Sequence, residues 1–197
     1  MRRLLLALGL AVGLPAAAQA PKAAAYTPPD GHWWLSASSE ERDGFLIGYF
    51  ECYSFMLRKE VPSGRPGGGL LQAVTDTYDN GSESAPVSSV IQLLFDRWRK
   101  GHRYRFVRAD PANEYDGEWW RQAGDEDHAR EGIIAGFLAC QSAEQHLEVK
   151  TPVAVLVARV SRWYGVDPRD DSVISEKTDN DKLGAVIVRA EKEPPQH

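Results

Sequence analysis

Cys52 and Cys140 are the most reactive side chains in this sequence, and it holds no other cysteine. In an exported chain, two thiols read as one disulfide. A Cys52–Cys140 bridge closes a loop of about 90 residues, worth roughly 4–5 kcal/mol on the chain-entropy treatment. The five histidines, His32, His102, His128, His146 and His197, include no i, i+4 pair with a third ligand nearby, so no metal site is expected. No Gly-x-Ser-x-Gly elbow occurs, and Gly67–Gly69 is a lone glycine run that reads as a hinge, not a phosphate cradle. Carboxylates are plentiful: Glu40, Glu41, Asp43 and Glu51, then Glu118, Asp125, Glu126, Asp127 and Glu131. Paired acids of this kind run glycoside hydrolysis. Most of these fall in helix first turns, where the macrodipole favours negative charge. A pocket with two facing carboxylates is therefore not expected. The chain reads as no enzyme, with no cofactor and no metal.

The cysteines belong to two related stretches. Gly44-Phe-Leu-Ile-Gly48-Tyr-Phe-Glu-Cys52 is matched by Gly132-Ile-Ile-Ala-Gly136-Phe-Leu-Ala-Cys140. Each follows a similar lead, Asp30-Gly-His-Trp33-Trp34 or Asp116-Gly-Glu-Trp119-Trp120. Val74 to Tyr78 aligns with Val160 to Tyr164 at an offset of 86, close to the offset of 88 for the cysteines. Phe45, Tyr49, Tyr53 and Met56 recur at helix period. Gly44, Gly48 and Cys52 form a separate stripe at spacing four. Glycine within a helix costs about 1 kcal/mol relative to alanine, so two on one face ask for a packing reason. Small residues let a second helix backbone come close. Gly44, Gly48, Gly132 and Gly136 are therefore expected to form a helix-packing seam, with a pseudo-two-fold axis near the Cys52–Cys140 bridge. Glu51 breaks the match, because its counterpart is Ala139. Whether it lies at the surface or makes a partly buried polar contact stays open, and it is carried as a candidate partner contact.

The elements that must position these residues are helices. Arg2 and Arg3, an 11-residue apolar run from Leu4 to Leu14 and the small residues through Ala20 have the layout of a secretory signal peptide, too short to span a bilayer. Cleavage after Ala20 fits the small-residue rule; cleavage after Ala18 or Ala25 stays open. Residues 21–29 read as a flexible tail. Ser38-Ser-Glu-Glu41 fits a capping box, and Gly124-Asp125 is expected to cap the matching helix. Val61 to Gly69 reads as a loop. Leu70, Leu71, Val74 and Tyr78 make a second helix that stops at Asp79-Asn80-Gly81. Pro86 opens a third, with Val87, Val90, Ile91, Leu94, Phe95 and Trp98 on one face. The second copy continues with Val153, Leu156, Val157, Val160 and Tyr164, then a last helix from Lys182 to about Lys192 capped by Asp179 or Asn180. Tyr104 to Val107 alternates too briefly to claim a sheet. The expected fold is all-α: two pseudo-symmetric three-helix repeats packed into one compact domain. The divisions are a signal peptide at 1–20, the tail at 21–29, repeat 1 at 30–99, a linker at 100–115 and repeat 2 at 116–192.

Charge limits the partners. The chain carries a formal −5, and removal of Arg2 and Arg3 leaves 21 basic against 28 acidic residues. Nucleic-acid binding needs a basic face, so no nucleic acid is expected, and no stable membrane insertion once the signal is removed. One basic cluster stands out, with Arg97, Arg99, Lys100, His102, Arg103, Arg105 and Arg108. It reads either as a solvated connector or as a docking strip for an acidic partner or an anionic envelope polymer. Arg97, Arg99, Arg103 and Arg105 are carried as candidate partner contacts. The Trp pairs read either as core or as a sugar-stacking platform.

Gly44-x-x-x-Gly48-aromatic, the loop Val61-Pro-Ser-Gly64, Leu70-Leu-x-x-Val74-x-x-x-Tyr78 and Val87-x-x-Val90-Ile91-x-x-Leu94-Phe95 resemble the Rap1a/Tai family. Those are small exported helical proteins, some of them immunity proteins against secreted effectors that cut peptidoglycan. The resemblance covers mainly residues 44–98 and more loosely 132–190. It implies a periplasmic or secreted protein that binds another protein as an immunity-type factor. The alternative is a peptidoglycan- or carbohydrate-binding module that uses the Trp pairs.

Overall fold

The computed structural model describes residues 26–63, 66–81, 83–124, 128–167, 169, 172–175 and 179–194. The expected signal peptide, most of the tail, Gly64, Asp125–Asp127 and the side chain of Pro66 lie outside the described residues. The chain is mostly helical, with eight α-helices among the described residues. They are α1 (Gly31–Ser36), α2 (Ser39–Phe50), α3 (Pro66–Asp79), α4 (Val87–Lys100), α5 (Gly117–Gln122), α6 (Ala129–Gln145), α7 (Val153–Trp163) and α8 (Leu183–Lys192). Helix α2 runs on into a π-helical turn, Glu51–Met56.

The extra helices arise where each Trp pair forms a short helix of its own. Asp30 caps α1 by accepting the Trp33 N–H at 3.1 Å, and Asp116 caps α5 by accepting the Trp119 N–H at 3.3 Å. Extended backbone at Ala37 ends α1, and Ser38 then caps α2, its hydroxyl accepting the Glu41 N–H at 3.0 Å. The indoles fix where these short helices sit. Trp34 Nε1 donates to Thr75 Oγ1 of α3 at 3.0 Å, and Trp120 Nε1 donates to Ser161 Oγ of α7 at 3.3 Å. Gly31 is required because an added Cβ would fall 2.4 Å from the Tyr78 ring, and the same holds for Gly117 against Tyr164.

Helices α2 and α6 make the most extensive pairing in the molecule. Their contact is backbone on backbone. An added Cβ would fall 2.3 Å from the Ala129 carbonyl oxygen at Gly44 and 1.8 Å from that of Ile133 at Gly48. In return it would fall 2.1 Å from Glu41 O at Gly132 and 1.9 Å from Phe45 O at Gly136. Cys52 and Cys140, both fully buried, form a disulfide at the end of this seam, with Cα atoms 6.0 Å apart. One continuous apolar core surrounds it, including Trp34, Phe45, Ile91, Trp120, Phe137 and Ile187.

Several local expectations are corrected. Helix α6 begins at Ala129, after His128 in the left-handed conformation (φ 60°), and not from a Gly124-Asp125 cap. Helix α8 follows Lys182, which makes no side-chain cap bond, and not Asp179 or Asn180. Asp179 is used elsewhere: its carbonyl accepts the Gly117 N–H at 2.9 Å and its carboxylate pairs with Arg121. The 61–69 loop is shorter than expected, because α3 already starts at Pro66. The 100–115 connector is held down, with Phe106–Val107 (β2) pairing antiparallel to Val61–Pro62 (β1). Two buried arginines close helix C-termini, where cations suit the dipole. Arg130 Nε donates to Trp120 O at 3.1 Å, and Arg159 Nη1 to Ala190 O at 2.7 Å.

Candidate functional site

The N-terminal ends of α2 and α6 open into a cleft of about 540 Å³. Because Gly132 meets the Glu41 carbonyl, the seam itself places the first turn of α2 beside that of α6. Glu41 and Glu131 therefore line the same cleft although they are far apart in sequence. Asp30 and Trp33 of the α1 segment form another wall, and Pro152–Ala154 at the start of α7 a third. The segment 26–29 lines the cleft as well, tied down by Tyr26, whose hydroxyl donates to Ala135 O at 3.0 Å. Burial pushes the Tyr26 phenol up, so it stays a neutral donor.

Glu41 and Glu131 line one cleft, a grouping that the sequence reading did not anticipate. The signal was non-local: Glu41 and Glu131 are each ordinary first-turn acids, and only the close approach of the two helices brings them together. Two of the three acids already have partners. Asp30 caps α1, and Glu131 pairs with His128.

The Trp pairs divide in the same way. Trp34 and Trp120 are fully buried, whereas Trp33 and Trp119 are half-buried. Trp33 packs on Phe45 with ring centres 5.3 Å apart and lines the cleft; Trp119 packs on Tyr115 at 4.5 Å.

Glu51 is not a surface contact, which corrects its place among the candidate partner contacts. It is fully buried, in the π-helical turn. Its Oε1 accepts the Tyr115 N–H at 3.1 Å, and Oε2 lies against the backbone of Gly184 at the start of α8. Burial pushes the carboxyl up to about 8, with the nearby Glu114 adding to the shift. The Tyr115 and Gly184 amides and the Lys182 charge pull the other way. Hydrogen-bond positions explain why Ala139, one residue before Cys140, can stand where Glu51 precedes Cys52. Leu183 N–H donates to Tyr115 O, and Val87 N–H donates to Pro29 O, so Tyr115 and Pro29 hold like positions. Tyr115 has an N–H that must be satisfied in the interior, and proline has none.

Arg97, Arg99, Arg103 and Arg105 are all exposed, on the last turn of α4 and the connector that follows. Arg99 lies over the Phe106 ring at 4.2 Å and pairs with Asp96 at 3.6 Å. These residues are not part of the cleft lining.

Among the described residues no group of three or more His, Cys, Asp or Glu side chains is placed to hold a metal ion. No helix among them is long and apolar enough to cross a membrane. Compared with known proteins, the chain matches no family model, no curated protein and no solved structure.

Proposed function

We propose that this is an exported, non-enzymatic protein that binds another protein, an immunity-type factor neutralising a cell-wall-targeting effector. The cleft carries the binding part of this reading. It joins the half-exposed face of Trp33 to carboxylates from three helices, a setting that suits a basic side chain of a partner. A cation over an indole and charge-assisted bonds to carboxylates both favour such a residue. The non-enzymatic part rests on how the acids are used, since Asp30 and Glu131 hold a helix cap and a histidine. The Cys52–Cys140 disulfide supports export. The immunity role rests on the Rap1a/Tai resemblance alone.

We also infer that the chain is two copies of one unit related by a pseudo-two-fold axis. The reciprocal glycine contacts support this, as do the matched bonds of Trp34 and Trp120 and of Gly31 and Gly117. On this reading the unit has four helices, with α1–α4 matching α5–α8.

The binding reading is tested by Glu41→Lys with Glu131→Lys. The wild-type protein should retain a partner and block its wall-cutting activity, and the variant should do neither. Equal inhibition by both proteins would remove the cleft from the function. Carbohydrate binding is the second reading, favoured by the position of Trp33 beside hydroxyl-accepting carboxylates. Sedimentation with insoluble peptidoglycan that Trp33→Ala abolishes would select it.

A further inference from the structure

The basic strip after α4 lies outside the cleft and is left unused by the function proposed for it. A helix C-terminus accounts for part of it. Arg97, Arg99 and Lys100 occupy the last turn of α4, where cations suit the dipole. Arg103, Arg105 and Arg108 lie beyond the helix and gain nothing from that field. Nor is the cluster a requirement of the fold: α8, at the like position in the second half, ends with Arg189 and Lys192 mixed with Glu191.

The strip is also pre-set. Trp98 packs on Tyr104 with ring centres 4.8 Å apart, and Phe95 packs on Phe106 at 6.0 Å. Backbone bonds fix the same segment, Arg103 N–H to Trp98 O at 3.0 Å and Ser63 N–H to Arg105 O at 2.7 Å. The Arg99 guanidinium lies on Phe106, and Arg103 lies 5.8 Å from the Tyr104 ring centre. A guanidinium held over a ring loses less entropy on binding. Among the described residues Asp96 is the one carboxylate paired within the strip.

We propose that this strip docks an extended acidic segment of a protein partner, whose carboxylates pair with Arg99, Arg103 and Arg105; Arg97, two residues before Arg99 on the helix, faces Asp76 of α3 and Asn80 just after it instead. The charge of the whole chain selects a short segment over a long polymer or a membrane. The protein carries a net −5 despite this cluster, so the remaining surface is acidic. A broad anionic surface would meet that acid within a Debye length of about 8–10 Å, whereas a short peptide covers the strip alone. Arg103 and Arg105, two residues apart on non-helical backbone, match alternate carboxylates of an extended chain at about 7 Å.

The test measures anisotropy of fluorescein-labelled octaglutamate with the purified protein. The peptide should bind in 50 mM salt and weaken at least tenfold in 200 mM salt. Arg103→Ala with Arg105→Ala should weaken it about tenfold, and Arg103→Lys with Arg105→Lys should recover part of the loss. Arg99→Ala serves as a second variant and should act in the same direction, whereas Arg97→Ala should weaken binding less. Glu41→Gln with Glu131→Gln should leave peptide binding unchanged, which separates this site from the cleft. Absence of binding, or equal binding by the Arg103/Arg105 alanine variant, overturns the proposal. So does tighter binding of inorganic polyphosphate or of phosphatidylglycerol vesicles. Self-association that the same alanine variant abolishes would place a second copy on the strip and would equally overturn it.

Discussion

At Gly48 an added methyl group would overlap the Ile133 carbonyl oxygen, an atom fixed by its own helix. Relief requires α2 and α6 to separate. Gly48→Ala should therefore destabilise by about 3 kcal/mol, even though alanine is the better helix former. Gly69 is the control, since among the described residues its added Cβ meets only the Tyr104 hydroxyl at 4.0 Å. Gly69→Ala should stabilise by up to about 1 kcal/mol, and urea midpoints of both variants check the contrast. Glu51 gives a pH prediction. Its folded carboxyl titrates near 8, above the ordinary 4.5. Between those values the folded state holds a proton that the unfolded chain has lost. The stability this group contributes is thus complete below about pH 4.5 and is lost as pH rises through 8. Glu51→Gln keeps an acceptor for the Tyr115 N–H and cannot ionise. Its urea midpoint should fall less than that of wild type between pH 5 and pH 9, and parallel profiles would refute the assignment.

At the scale of elements, the short Trp helices and the disulfide carry separate loads. Trp34 is fully buried and bonds Thr75, so it anchors α1 on α3. Trp34→Ala should cost about 3–5 kcal/mol. Trp33→Ala should leave the thermal midpoint within a few degrees, because its ring is half-exposed to the cleft. A loss of binding in Trp33→Ala can then be read as a loss of contact. The bridge links α6 to the turn that continues α2, across a separation of 88 residues. Cys52→Ser with Cys140→Ser should lower stability by roughly 4–5 kcal/mol on the chain-entropy treatment. Because both cysteines are in the bridge, thiol titration should find none, and because both sulfurs are buried, reductant should act only after denaturant opens the seam.

For the molecule as a whole, the differences between the halves are as informative as the likeness. The seam is reciprocal, residue for residue. The cleft is not: Glu41 stands on α2 where α6 has Ala129. The connector that carries Arg103 and Arg105 occurs once. A fold built on matched contacts can hold its stability in the matched parts and vary the rest: Asp30 and Trp33 of the cleft have counterparts in Asp116 and Trp119, whereas Glu41, Arg103 and Arg105 have none.

What the sequence determined by itself is what short-range physics dictates. Apolar spacing near 3.6 residues named the helices, and the Ser38 cap could be read because a serine and the amide three residues on are neighbours by covalent geometry. The glycine stripes announced a close approach because their helix penalty demands an offsetting contact. Tertiary structure decided the rest. Whether Glu51 lay inside or outside depended on the Tyr115 amide, 64 residues away. The cleft depended on two first-turn glutamates that meet only after α2 and α6 have packed. The placement of α1 on α3 and of α5 on α7 depended on indoles finding Thr75 and Ser161, each 41 residues on. Such contacts leave no local pattern, because they are set by which backbone surfaces can approach once the glycine seam has closed.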